Sequence, residues 1–137
     1  MKRLFLFLVL FLAACGSSSP SAPSGTTSAP YSQTDLVVGT GTAAAVGNQL
    51  TVQYAGWLHD SSKTDAKGTQ FDANTYSFRL GAGTVIRGWD VGLVGMRVGG
   101  QRRLVIPPDL GYGSAGYPPA IPPNATLVFE VELISVN

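Results

Sequence analysis

Val85-Ile86-Arg87-Gly88-Trp89-Asp90 is the stretch on which the reading of the fold turns. Ile86, Trp89 and Leu93 recur at i, i+3 and i+7, the spacing of one helical face, although glycines at 88 and 92 interrupt it. Strand-like runs lie on both sides. A single short helix among strands has one economical use, which is to lie across a curved sheet and close one end of its core. Trp89 then projects into the concavity of the sheet. A ring of that size completes a core or forms the floor of a pocket, and spacing alone leaves both readings open.

Working outward, Leu36-Val37-Val38 opens a strand that Gly39-Thr40-Gly41 turns. From Leu50 to Leu58 the chain alternates, with Leu50, Val52 and Tyr54 on one side and Thr51 and Gln53 on the other. His59 to Gln70 is polar and reads as a surface loop, with His59 solvated. Phe71-Asp72 begins a segment that continues as a strand through Tyr76 to Leu80, where Gly81 and Gly83 break it. Gly99-Gly100 turns into a strand from Gln101 to Ile106, which Pro107-Pro108 ends. Arg102-Arg103 within it reads as strand surface. Leu110 to Asn124 is rich in Gly, Pro and Tyr, and ordered loops of that length are usually functional. Leu127 to Val136 closes the chain as a strand. The expected fold is therefore α+β: a bent antiparallel sheet of about five strands around one short helix, over residues 35–137.

The chain has 137 residues, enough for one domain with accessories, and only 12% of them are charged. Without Lys2 and Arg3 the balance is 7 basic against 8 acidic residues, which argues against nucleic acid as a partner. One cysteine, Cys15, allows no intrachain disulfide, and with His59 as the single histidine no Cys/His metal site can be assembled. No metal and no cofactor are expected.

Met1-Lys2-Arg3 followed by the apolar run Leu4 to Ala14 is too short to span a bilayer, which takes about 20 apolar residues, and reads as a secretory signal over residues 1–14. Leu12-Ala13-Ala14-Cys15 resembles the bacterial lipobox. That resemblance implies that Cys15 is acylated, anchoring the protein to a membrane on the extracytoplasmic side of the bacterial envelope. A plain signal with Cys15 left as a free thiol is the alternative. Residues 15–34 are dominated by Ser, Pro, Gly, Thr and Ala without apolar periodicity, as expected of a disordered tether.

Several blocks in order resemble the FKBP-type peptidyl-prolyl cis-trans isomerases: Val52-Gln53-Tyr54-Ala55-Gly56-Trp57-Leu58, Phe71-Asp72, Val85-Ile86-Arg87-Gly88-Trp89, Gly111-Tyr112-Gly113, and the run from Ile121 to Leu133. The resemblance covers about Leu36 to Val136. It implies the same bent sheet around one helix, and it implies a pocket at Tyr54, Phe71, Asp72, Tyr76, Val85, Ile86, Trp89, Tyr112, Ile121 and Phe129. Trp89 would lie under the prolyl ring, with Tyr54, Phe71 and Phe129 as walls and the Tyr112 hydroxyl bonded to a ligand carbonyl. The catalytic group is then Tyr54, Asp72, Tyr112 and Phe129. Phe71, Tyr76, Val85, Ile86, Trp89 and Ile121 bind substrate. Tyr76 stands where relatives often have Phe, the chain between Phe71 and Phe78 is shorter than in many of them, and Tyr117 and Ala120 replace a common His and a branched apolar residue.

Rotation about an X-Pro bond needs no bond to a heavy atom, and the residues offer no nucleophilic triad or phosphate loop. The expected activity is isomerisation of proline-containing polypeptides among exported proteins, with macrolides of the tacrolimus and rapamycin type as inhibitors. The alternative is a low-turnover binding module or chaperone on the same fold. Asp72 is open to reading as a turn former or as a buried acceptor orienting Tyr54. Packing of its own loop is the alternative for Tyr112.

Overall fold

The computed structural model describes residues 29–137. The predicted signal, Cys15 and most of the predicted tether lie outside them. Five strands form one sheet: β1 (Ser32–Val37), β2 (Gln49–His59), β3 (Lys67–Arg79), β4 (Gln101–Ile106) and β5 (Leu127–Val136). Their order is β1-β4-β5-β2-β3, and every neighbouring pair is antiparallel. One helix, α1 (Arg87–Gly92), lies between β3 and β4, and a 3-10 turn, Pro108–Leu110, follows β4.

β5 lies between β4 and β2, and its apolar residues alternate with Glu130 and Glu132, so that one face is buried. Leu127, Phe129, Val131 and Leu133 are buried on the face that also carries Leu50 and Val52 of β2. Trp89 and Leu93 of the helix segment join them in one cluster, with Leu104, Ile106 and Met96. The helix reaches the sheet because Gly88 and Gly92, one turn apart, leave its inner face bare. A Cβ at Gly88 would lie 2.6 Å from Ile106, and one at Gly92 would lie 2.9 Å from Leu104. The glycines that interrupt the helical pattern are thus what lets so short a helix bury its tryptophan.

Three expectations are corrected. The sheet begins at Ser32, inside the stretch assigned to the tether, because β1 is held by polar groups and shows no apolar periodicity. β3 starts at Lys67, so the polar loop after His59 is shorter than expected and residues 67–70 pair with β2. Arg102 is not surface. It is only 9% exposed, on the inward side of β4. Its Nε donates to Asp35 Oδ1 at 2.7 Å, and its Nη1 donates to Gly92 O at 2.8 Å, Val94 O at 3.1 Å and Gln33 Oε1 at 3.1 Å. A buried guanidinium is tolerated there because the carbonyls at and just past the helix C-terminus and one carboxylate satisfy it. Tyr31 reinforces the clasp, its hydroxyl donating to Gly88 O at 3.2 Å. Arg103 points the other way, to Glu130 Oε2 at 3.0 Å, which Lys67 Nζ also meets at 2.9 Å. Burial pushes the Glu130 carboxyl up, but the hydrogen bonds and charges of Lys67 and Arg103 outweigh it and hold it below the usual range.

Candidate active site

On its concave side the sheet and the helix enclose a cleft of about 190 Å³. Its floor is Trp89, 4% exposed, whose indole N–H is buried without a hydrogen-bond partner. Three aromatic rings stand around the indole. Tyr54 meets it edge-on at 5.0 Å and 79°, Phe129 at 5.3 Å and 81°, and Phe78 at a tilt of 48° and 5.6 Å. Phe71 continues the wall, perpendicular to Phe129 at 5.5 Å. Edge-to-face pairs of this kind add to the burial they already contribute and fix each ring's direction. Gly56 makes the wall possible: a Cβ there would lie 2.7 Å from Phe71 and 2.8 Å from Phe129.

Polar groups sit at the rim. The Tyr54 hydroxyl donates to Asp72 Oδ2 at 2.5 Å, and Asp72 Oδ1 accepts from the Ala73 N–H at 2.9 Å. Tyr54 and Asp72 are brought together by the β2–β3 register, which pairs Gly56 with Asp72 and Tyr54 with Asn74. Burial, and then the hydrogen bond to Asp72 and its charge, push the Tyr54 pKa well above the ordinary tyrosine range. Burial, then the Asp72 charge, also raise that of Tyr112. Both phenols are therefore held protonated.

The chain as a whole is similar to known proteins. The family model for the FKBP-type peptidyl-prolyl cis-trans isomerases matches residues 40–134. The chain belongs to this family. An FK506-binding protein of Neisseria meningitidis is 47% identical over 74% of this chain and 92% of its own length. FK506-binding protein 4 of Dictyostelium discoideum is 50% identical, over 74% of this chain and 27% of its own length. Relatives of that kind are longer, and the chain spans about a quarter of each. The crystal structure of FkpA from Escherichia coli superposes with a TM-score of 0.65 at 41% identity, covering 78% of this chain and 48% of FkpA.

Nine of the ten residues expected at the FKBP-type pocket line the cleft: Tyr54, Phe71, Asp72, Tyr76, Val85, Ile86, Trp89, Tyr112 and Phe129. Ile121 does not. It is 3% exposed within the core cluster, and its backbone pairs with Tyr117. Thr84 lines the cleft and was not foreseen, although it directly precedes Val85 and so shares the turn that delivers Val85 and Ile86. Asp72 is neither a turn residue nor buried, but an exposed residue within β3. Tyr117 and Ala120 are exposed on the long loop, and the Tyr117 ring lies 5.6 Å from that of Tyr112. Trp89 serves in both ways that spacing had left open, since it belongs to the core and also lines the cleft.

Proposed function

We propose that this chain accelerates rotation about X-Pro bonds in polypeptides, with the proline ring seated on Trp89 between Tyr54, Phe71 and Phe129. The observation that carries this reading is the perpendicular packing of Tyr54 and Phe129 on the Trp89 ring, which builds the aromatic floor and walls of the cleft. Unaided rotation crosses a barrier of about 18–20 kcal/mol because it breaks amide resonance. The twisted amide is less charge-separated than the planar one, so an apolar cleft disfavours the transition state less than the ground state. Tyr112, held protonated, donates to the carbonyl of the bound chain. Asp72 fixes the Tyr54 hydroxyl and so the pitch of that wall. A gain of about 10⁶ asks these effects together for roughly 8 kcal/mol.

The relatives named FK506-binding proteins support the same cleft as the site for tacrolimus- and rapamycin-type macrolides, whose pipecolyl ring mimics proline. A protease-coupled proline-peptide assay tests the reading, with acceleration expected at micromolar enzyme. One observation favours a low-turnover binding module instead: β3 runs from Lys67 to Arg79 and leaves Tyr76 exposed at the cleft edge. Binding of the peptide without acceleration would select it.

The lipobox-like Leu12-Ala13-Ala14-Cys15 supports anchoring through acylated Cys15, with the domain on the extracytoplasmic side of a bacterial envelope and exported proteins as its substrates. Two or three acyl chains, at about 0.8 kcal/mol per buried CH₂, make a stable anchor. Cys15→Ser should leave the membrane fraction or accumulate as precursor. Unchanged attachment of this variant would contradict the anchor.

A further inference from the structure

We infer that Asp90, which does not line the cleft, is a positioning residue that sets the height of the cleft rim above its floor; this rests on the reading just given. Asp90 follows Trp89 in α1, and its carboxylate faces the turn that ends β3. Oδ1 accepts the Gly81 N–H at 2.9 Å, and Oδ2 accepts the Gly83 N–H at 3.0 Å. Both glycines have positive φ, +85° and +77°, so the two amides converge on one side of the turn. The same residue is tied to the far end of the rim, because its own N–H donates to Ile86 O at 3.3 Å, beside that of Trp89 at 3.0 Å.

The rim residues Thr84, Val85 and Ile86 lie between these two ties. Leu80, fully buried, fixes the chain before the turn, and α1 fixes it after Ile86. Between those points the one other backbone tie of the turn is a long bond from Ala82 N–H to Arg79 O, at 3.4 Å. The two charge-assisted bonds to Asp90 are therefore the main restraint on Gly81 to Thr84. They link the rim to the helix that carries the floor, so floor and rim keep one spacing.

Asp90→Asn is the informative change. Its amide oxygen can accept from one glycine, but its NH₂ then confronts the other donor. For a proline peptide KM should rise about tenfold, the loss expected of one charge-assisted hydrogen bond, with kcat little changed. Hydrogen exchange at the Gly81 and Gly83 amides should quicken. Asp90→Glu, which keeps the carboxylate, should restore most of the affinity, whereas Asp90→Ser, too short to reach both amides, should behave like the Asn variant. A wild-type chain without turnover would contradict the proposed function and this inference together. Wild-type turnover with KM unchanged in both the Asn and Ser variants would overturn this inference alone, as would unaltered exchange at the two glycines.

Discussion

Tyr54 and Asp72 are joined across the β2–β3 ladder by a 2.5 Å hydrogen bond from the phenol to Oδ2, at the mouth of a cleft that neither residue fills. The bond ties a wall ring, partly buried against Trp89, to an exposed carboxylate on the edge strand. Its effect is directional: the Tyr54 ring cannot swing away from the indole without breaking it.

Asp72→Leu should therefore lower turnover by about tenfold, the worth of one hydrogen bond to a charged group. Stability should shift by less than about 1 kcal/mol, because the carboxylate is exposed and bears on no core contact. Paired measurements of kcat/KM and of the urea midpoint check both halves.

The two phenols at the site give a pH signature. Burial first, and Asp72 second, raise the pKa values of Tyr54 and Tyr112. A free tyrosine loses its proton near pH 10, at about the model-peptide value. Here both should give up their protons at higher pH than a free tyrosine does, so any alkaline fall in isomerisation, followed by NMR exchange, should come above that value. The sign for stability follows from the same shift. The contribution is fully present below the unfolded pKa and is lost only as pH rises through the raised folded values.

Phe129 has two roles that truncation cannot separate. It is 3% exposed and packs against Trp89, Tyr54 and Phe71, so Phe129→Ala should lower stability by about 3–5 kcal/mol as well as opening the wall to water. Phe129→Leu keeps most of the volume but removes the ring edge from the indole. It should lose far less stability than the Ala variant while turnover still falls, as thermal unfolding and kcat/KM together would show.

How much of this was legible in the sequence depends on which groups do the holding. The bounds of β4 follow from Gly99-Gly100 before it and Pro107-Pro108 after it, and β5 follows from the alternation of Leu127, Phe129, Val131 and Leu133 on one buried face. Gly88 and Gly92 read as interruptions, and their purpose appears only when Ile106 and Leu104 are found against them. β1 was missed in part because its anchors, Gln33 and Asp35, are polar and bond to Arg102. The role of Arg102 is itself illegible locally, since its acceptors Gly92 O and Val94 O sit ten and eight residues away. Ile121, which resemblance puts at the cleft, sits in the core cluster with its backbone paired to Tyr117, a pairing across the long loop that no local pattern announces.

Arg102 and Arg103 should accordingly diverge, though they are neighbours in sequence. Arg102→Met removes the buried ties to the helix end and to β1, and should destabilise by about 2–3 kcal/mol. Arg103→Met breaks a partly exposed pair with Glu130 and should lower stability by about 1 kcal/mol or less. Urea midpoints of the two variants test the contrast.

The measurement that bears most directly on the cleft is a macrolide titration read in two ways on a Trp57→Phe background, which leaves Trp89 as the single tryptophan. Tacrolimus should quench the Trp89 fluorescence and inhibit proline-peptide turnover with the same midpoint, because both events occupy the slot between Tyr54, Phe129 and the indole. Turnover that persists at saturating macrolide, or inhibition that leaves Trp89 fluorescence untouched, would contradict the placement of the active site over Trp89.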